Sequence, residues 1–241
     1  MALTKDEAVV LRRLDYSETS QVLVFFARQS GIVRAIAKGV KRSTKTRFAP
    51  AIDLLDVGHL VFSTRSPRQS QLATLTEWKQ THALSGLRER LDRLHAAQYA
   101  AEVVAGLTTD WDPHPALFDA LVDLLRGLCD APAVIGLLVA FQRTLLHEVG
   151  LLPELDACIS CGRAPVPREP LYFSSHEGGL ICRDCEAAYV EKRQVRPASL
   201  GILRGEGGPE ESAAGAFDIL NYHISHTMGR APVTAPLVRV R

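Results

Sequence analysis

Apolar and polar positions alternate with a period of two through the first third of the chain and with a period near 3.6 beyond it. Short β-rich runs at residues 8–11, 22–27, 31–38, 58–63 and 72–76 are separated by turn signals such as Asp15-Tyr16-Ser17 and Ser30-Gly31. Five short strands in close succession predict a small barrel. The tight Gln29-Ser30-Gly31 link makes the second and third strands a hairpin, because glycine tolerates the positive φ that a short turn often demands. In the third strand Arg34, Ile36 and Lys38 share one face, while Val33, Ala35 and Ala37 share the other. The small apolar set faces the barrel interior, which leaves the two cations outside.

From Ser85 the period becomes helical. Leu87, Leu91 and Leu94 stand at i, i+4 and i+7, and an alanine-rich stretch over 96–105 continues the pattern to Gly106. Pro113 and Pro115 open a second helix with Leu117, Leu121, Leu124 and Leu128 on one stripe. A third, from Pro132, carries Val134, Leu137, Leu138, Phe141 and Leu145 and stops at Gly150. Three helices packed as a bundle are the simplest account. Asp110, Asp112, Asp119 and Asp123 have no catalytic spacing and are read as solvated faces. Cys129 reads as a small buried hydrophobe and His147-Glu148 as a charged last turn.

Composition excludes several classes. Of 241 residues, 46% are hydrophobic and 23% charged, which fits neither a disordered acidic chain nor a fibrous one. The longest apolar run, residues 131–141, is well short of the roughly 20 residues that cross a bilayer. Asp6 and Glu7 stand where a secretory leader would need a positive region, so the cytoplasm is the expected compartment. The net charge of +1 hides an asymmetry: residues 1–80 hold thirteen Lys/Arg against seven Asp/Glu, and residues 81–157 hold five against eleven. Such a split suits different partners for different parts.

Between Glu18 and Asp53 there is no acidic residue, while Arg28, Arg34, Lys38, Lys41, Arg42, Lys45 and Arg47 all lie there. A loop that serves solubility alone usually mixes signs, so this stretch reads as a polyanion surface. Five-stranded Greek-key barrels of the OB type present one face and flanking loops to single-stranded nucleic acid, and these cations would supply such a face. Phe48, Phe62 and Trp78 are candidate stacking rings, although a core role is the simpler expectation for them. The sequence after Gly39 lacks the spacing of a phosphate-binding P-loop.

The strongest chemical signal is Cys158-Ile-Ser-Cys161 followed by Cys182-Arg-Asp-Cys185, with twenty residues between the pairs. Two residues between ligands let a tight turn aim both thiolates at one ion about 2.3 Å away, and two such turns complete a zinc tetrahedron. A shell filled by four sulfurs has no place for water or substrate, so one structural zinc ion is expected. Two disulfides would require an oxidising compartment, a thioredoxin-like pair would lack its βαβ surroundings, and an iron–sulfur cluster is the remaining chemical option. Residues 171–180 read as a hairpin that brings the pairs together, with His176 on its surface turn. Residues 186–193 read as helical, with Lys192, Arg193 and Arg196 forming a small basic patch or a cationic helix end. Residues 201–209 hold four glycines and read as a mobile connection, residues 212–228 as a final helix, and residues 231–241 as a flexible tail. His223 and His226 are read as surface histidines. The expected segments are thus a barrel over 1–80, a helical bundle over 81–157, a four-cysteine zinc module over 158–196 and a C-terminal helix packing on the bundle over 197–241.

Leu14-Asp15-Tyr16-Ser17-Glu18, residues 25–31, Ala37-Lys38-Gly39-Val40-Lys41-Arg42, Tyr172-Phe173-Ser174, Glu177-Gly178-Gly179-Leu180 and Cys182-x-x-Cys185 occur in an order that resembles the RecO family of bacterial DNA repair proteins. The resemblance implies a mixed α and β, multidomain fold: an N-terminal five-stranded OB-type barrel, a helical bundle and a small four-cysteine zinc-binding module. It implies no enzymatic activity. Such proteins mediate recombination: they bind single- and double-stranded DNA, anneal complementary strands and, with RecR, help load RecA onto DNA coated by single-strand-binding protein. Neither a membrane nor a small-molecule substrate is implied. Carried over residue by residue, Arg34, Lys38, Lys41 and Arg42 would bind DNA, with Lys45 and Arg47 as weaker additions, and Cys158, Cys161, Cys182 and Cys185 would bind metal. The family leads one to expect an apolar pocket in the helical region for the tail of single-strand-binding protein. The competing reading is a transcription-type zinc-ribbon or scaffold protein that binds DNA without annealing it.

Overall fold

The computed structural model describes residues 2–18, 20–38, 52–64, 72–166 and 169–238. Two compact units share the chain: Met1–Leu91 with Val104–Asp130, and Asp92–Val103 with Ala131–Arg241.

In the first unit β1 (Ala2–Asp15), β2 (Gln21–Ala27), β3 (Gly31–Ala37), β4 (Val57–Thr64) and β5 (Ala73–His82) close into a barrel in the order β1-β2-β3-β5-β4. β1 is long enough to serve two neighbours. It pairs antiparallel with β4 from Ala2↔Thr64 to Val9↔Val57 and with β2 from Ala8↔Ala27 to Asp15↔Gln21. A register shift between Val10 and Arg12 provides the bend. β3 and β5 run parallel through Ala35↔Ala73 and Ile36↔Thr74, which closes an OB-type barrel. Val33, Ala35 and Ala37 face inward as their alternation predicts, against Leu23, Phe25, Leu60, Phe62 and Trp78. Phe62 and Trp78 are therefore core, with Trp78 5.3 Å from the Phe25 ring. Phe48 lies outside the described residues.

The barrel unit also takes a helix that the sequence assigns to a bundle. Ser85–Arg88 is a short 3-10 turn rather than the start of a helix, and Arg90 is extended before α1 (Leu91–Leu107) begins, so Leu91 is exposed. α2 (Pro115–Asp130) buries the expected Leu117, Leu121, Leu124 and Leu128. Its Phe118 ring lies 6.1 Å from Phe26 on the outside of β2, and burial of such a ring pair contributes on the order of 1.5–3 kcal/mol per side chain. Trp111, in the left-handed region at φ 65, packs its ring 5.8 Å from Phe62, and its backbone N–H donates to the Ile32 carbonyl at 3.2 Å. Gly31 has φ 68, and a Cβ there would run into the Asp112 backbone, so this turn has two separate reasons for glycine.

In the second unit the residues of α1 from 92 to 103, α3 (Ile135–Glu148) and α5 (Ala213–Thr227) supply the helical core. Buried Tyr99 ties them together: its hydroxyl donates to Asn221 Oδ1 at 3.0 Å and accepts from Gln142 Nε2 at 2.7 Å. The small sheet has the order β6-β8-β7-β9, from β6 (Glu154–Cys158), β7 (Leu171–Ser174), β8 (Gly179–Cys182) and β9 (Arg193–Val195).

Four expectations are corrected here. Residues 186–193 do not make a helix: Glu186–Ala188 is a single 3-10 turn, and the chain then adds β9 to the edge of β7. The glycine-rich stretch contains α4 (Leu200–Arg204), ended by Gly205 at φ 82. His223 is buried, its Nδ1 accepting from the Ser175 hydroxyl at 2.8 Å and its Nε2 donating to the Leu151 carbonyl at 3.0 Å, while His226 is exposed. Residues 230–234 are held rather than loose, because the Glu102 carboxylate accepts from Arg230 at 2.8 Å, from the Val233 and Thr234 N–H groups at 2.9 Å and from the Thr234 hydroxyl at 2.7 Å. Burial raises Glu102, but these donors outweigh it and bring its pKa down to about 2.

Candidate nucleic-acid surface and candidate metal centre

The cations predicted for the barrel fall into three groups. Lys38 is exposed just beyond the end of β3. Arg34 is exposed on the outer face of β3, where its Nε donates to Asp110 Oδ2 at 2.9 Å. Lys41, Arg42, Lys45 and Arg47 lie outside the described residues. Arg28 is bidentate to Asp119, at 2.9 and 2.7 Å. Asp110 and Asp119 are thus ion-pair partners rather than the solvated face expected of them. A pairing that spans 76 or 91 residues has no local signature. Beside Asp119 the Arg28 guanidinium is held above its ordinary range, chiefly by the hydrogen bonds to that carboxylate. Sequence reasoning missed one cation. Arg12 stands opposite Val24, which stands opposite Arg34, so the outer face carries a second arginine two strands away. Its signal is the alternation of β1 combined with strand register, and the register depends on long-range pairing.

Lys192, Arg193 and Arg196 do not form a common free patch. Lys192 Nζ donates to the Glu186 and Tyr189 carbonyls at 2.8 and 2.9 Å and pairs with the Glu186 carboxylate at 2.7 Å. The Arg193 guanidinium lies 3.9 Å over the Tyr222 ring.

All four predicted metal ligands converge. Cys158 ends β6 and Cys182 ends β8, and the β7–β8 hairpin brings the second Cys-x-x-Cys turn beside the first, as its sequence predicts. Each pair sits in a tight turn: Gly162 N–H donates to the Cys158 carbonyl at 2.8 Å and Cys185 N–H to the Cys182 carbonyl at 3.2 Å. The four sulfurs lie within 4.8 Å of one another, with Cys161 and Cys182 Sγ 3.8 Å apart. A tetrahedron with metal–sulfur bonds of about 2.3 Å has edges of about 3.8 Å, so the donor set fits one ion. Burial raises the Cys158 thiol, but N–H groups of Cys182, Cys161 and Ser160 outweigh it and bring the pKa to about 6. Cys158 and Cys182 are buried and Cys161 is exposed. His176 is on the hairpin surface beside Glu177, outside this cluster.

The second unit contains a cavity of about 720 Å³ with Val139, Leu152, Ile202 and Ala213 among its apolar lining and Arg143, Arg204 and Glu210 among its charged lining. Arg204 is engaged with the Leu155 carbonyl at 2.8 Å, and burial lowers the pKa of Arg143.

Fold and site define a class of protein with a closed OB-type barrel in one unit and, in the other, a helical core with a small sheet whose four cysteines are close enough to hold a metal ion. Residues 1–84 match the N-terminal domain of recombination protein O, and residues 88–234 match its C-terminal domain. The DNA repair protein RecO of Anaeromyxobacter dehalogenans is 34% identical over 241 residues, covering 95% of this chain and 93% of that protein. That of Myxococcus xanthus is 33% identical over 93% of this chain and 92% of its own length. That of Rubrobacter xylanophilus is 34% identical over 85% and 80%. The chain belongs to the RecO family of DNA repair proteins. Among the described residues no helix is long and apolar enough to cross a membrane.

Proposed function

We propose that this chain is a non-catalytic recombination mediator, active on DNA in the bacterial cytoplasm, that binds single- and double-stranded DNA on its barrel and anneals complementary strands. With RecR it would help load RecA onto DNA coated by single-strand-binding protein. The observation that carries this reading is the cationic outer edge of an OB-type barrel: Arg34 and Lys38 on β3 and just beyond it lead into Lys41, Arg42, Lys45 and Arg47 with no carboxylate in the intervening sequence. Annealing two polyanions is opposed by their repulsion, so a surface that neutralises phosphates on both strands and leaves base edges free lowers the barrier without bond chemistry. Arg34 joins that surface by exchanging Asp110 for a phosphate, which an exposed ion pair allows at small cost.

The metal is zinc in this reading, held by Cys158, Cys161, Cys182 and Cys185. It supplies a cross-link between two chain segments, and the four thiolates complete its coordination. The cavity lined by Arg143 is the proposed seat for the tail of single-strand-binding protein: Val139, Leu152, Ile202 and Ala213 give it apolar walls, and Arg143 and Arg204 add positive charge beside one carboxylate, Glu210.

Annealing of two complementary oligonucleotides by metal-loaded protein, without nucleotide and across a salt series, tests the proposal. Acceleration that fades with salt and in Lys38→Glu/Arg42→Glu is the expected result, and six engaged cations would give a log–log salt slope for single-strand binding of roughly −4. DNA binding without annealing would instead favour a zinc-ribbon or scaffold protein.

A further inference from the structure

We propose that His176 and His226 form a second metal site, a two-imidazole clamp for a borderline divalent ion such as Zn²⁺ or Ni²⁺ that ties the tip of the β7–β8 hairpin to the last turn of α5. It is separate from the four-cysteine centre and uses residues that the DNA-binding reading leaves idle.

Each histidine stands on backbone that is already fixed. His176 follows β7 in the hairpin turn, where its N–H donates to Glu191 Oε2 at 3.1 Å and the Ser174 hydroxyl donates to the same carboxylate at 2.6 Å. His226 is in the last turn of α5, about one turn beyond His223. His223 joins the two elements: its ring meets Phe173 edge-on at 5.6 Å, and its Nδ1 accepts from the Ser175 hydroxyl at 2.8 Å. Sliding the hairpin past the helix would break these buried contacts. Beyond them the exposed rings of His176 and His226 lie 6.2 Å apart at an interplanar angle of 85°.

Spacing, tautomer and charge suit an ion. Metal–nitrogen bonds of about 2.1 Å place the centroids of two imidazoles on one ion about 5 Å apart, and rotation of exposed side chains covers the difference. The Glu177 carboxylate accepts a hydrogen bond from His176 Nδ1 at 3.0 Å. An ionised carboxylate has no proton to give, so Nδ1 carries it and Nε2 keeps its lone pair. That pairing is the one that orients metal-ligating histidines. Glu177 and Glu191 both lie beside the pair, Glu191 close enough to interact with the charge of His226. Against them stands Arg193, whose guanidinium covers the Tyr222 ring one turn before His226, whereas Arg230, one turn after it, is bound to Glu102. Two carboxylates against one guanidinium favour a cation. Among the described residues the four cysteines are the one set that brings three or more donors within 4.8 Å of one another, so at this clamp two imidazoles bind and water fills the other positions. Such a shell prefers ions that take imidazole over Mg²⁺ or Ca²⁺, which take oxygen.

The test is calorimetric titration of the full-length, untagged chain, its four-cysteine site already loaded, with further Zn²⁺ at a pH about one unit above the ordinary histidine value, with Mg²⁺ as control. A second, weaker equivalent is expected, and Mg²⁺ should give none. His176→Ala and His226→Ala should each remove it, and Glu177→Gln should weaken it about tenfold. Both histidines are exposed, so without added ion the thermal unfolding of these variants should match wild type. With excess Zn²⁺ the wild-type midpoint should rise and theirs should stay. Substoichiometric Ni²⁺ reads the site without any substitution, by selective broadening of the His176 and His226 ring resonances in the wild-type protein. A stoichiometry of one, a second equivalent that survives in either histidine variant or is competed away by Mg²⁺, or broadening centred on other histidines overturns the clamp.

Discussion

The β2–β3 and β7–β8 hairpins share a device at their turns and differ in what holds their strands. In each, a carboxylate from another segment binds the turn. Asp6 accepts from Gln29 N–H at 3.1 Å and from the Ser30 hydroxyl at 2.7 Å. Glu191 accepts from the Ser174 hydroxyl at 2.6 Å and from His176 N–H at 3.1 Å. Beyond the turns the resemblance stops. Both outer edges of β2–β3 continue into a closed barrel with its own apolar interior. β7–β8 is flanked by three-residue β9 and by β6, whose ladder with β8 is interrupted between Glu154↔Gly179 and Cys158↔Leu180. A sheet that closes on itself supplies its own edge pairing, whereas four short strands need a cross-link, and the cysteines stand where it is missing.

The largest expected effect follows from that difference. Chelating the metal, or Cys182→Ser, should release the second hairpin and leave the first intact. Metal-linked folding energy in small modules is on the order of several kcal/mol. Hydrogen exchange would then show protection lost over residues 154–195 and kept over β1 to β5. Equal loss in both regions would mean that the barrel, too, depends on the metal. Next in size is Gly31→Ala, which reverses the asymmetry by attacking the barrel hairpin. A left-handed alanine and a collision with the Asp112 backbone together should cost about 2–4 kcal/mol in denaturant unfolding.

These differences also mark what could be read from the sequence. Val33, Ala35 and Ala37 point inward because alternation alone assigns them, and the two Cys-x-x-Cys pairs carry their geometry in their spacing. α2 has the expected apolar stripe, yet a stripe does not say what it packs on, and Phe118 meets Phe26 from far along the chain. Lys192 and Arg193 at the end of the Glu186-Ala-Ala-Tyr-Val-Glu191 segment mimic a helix C-terminus. The segment instead forms an edge strand, because Tyr172↔Gln194 pairing outweighs weak local propensity. His223 lies on a helix that the apolar pattern does reveal, but its burial depends on Ser175 and Leu151 from two other segments.

A smaller effect concerns the carboxylate that binds the β7–β8 turn. Burial raises Glu191, but the Ser174 hydroxyl and the His176 and Ser175 N–H groups outweigh it and hold the carboxyl below its ordinary range. Its folded pKa is depressed, so its contribution is complete above the unfolded value of about 4.5 and is lost as pH falls through the folded value. Glu191→Gln should cost about 1–2 kcal/mol at pH 7 and flatten the acid limb of the stability curve in metal-loaded protein. If the acid limb is unchanged, Glu191 does not govern the hairpin's acid response.

The smallest effect concerns the barrel hairpin's own charges. Arg28 and Arg34 are both met by carboxylates from residues 110–119, so this end of the β2–β3 outer face is electrically balanced. Asp110→Asn disturbs that balance at one point. The pair is exposed, so the fold should lose less than about 1 kcal/mol. Arg34, no longer held, should gain a phosphate: single-strand affinity rises a few fold at low salt, and the log–log salt slope steepens by about 0.7. Asp123→Asn, on α2, removes an equal charge 3.8 Å from Arg126 and away from Arg34, so it controls for the general gain in positive field. A steeper slope in Asp110→Asn alone places Arg34 on the DNA surface. Identical slopes in the two variants assign Arg34 to holding residues 110–112 on the barrel, and leave Lys38 and the cations that follow it to carry the phosphate contacts.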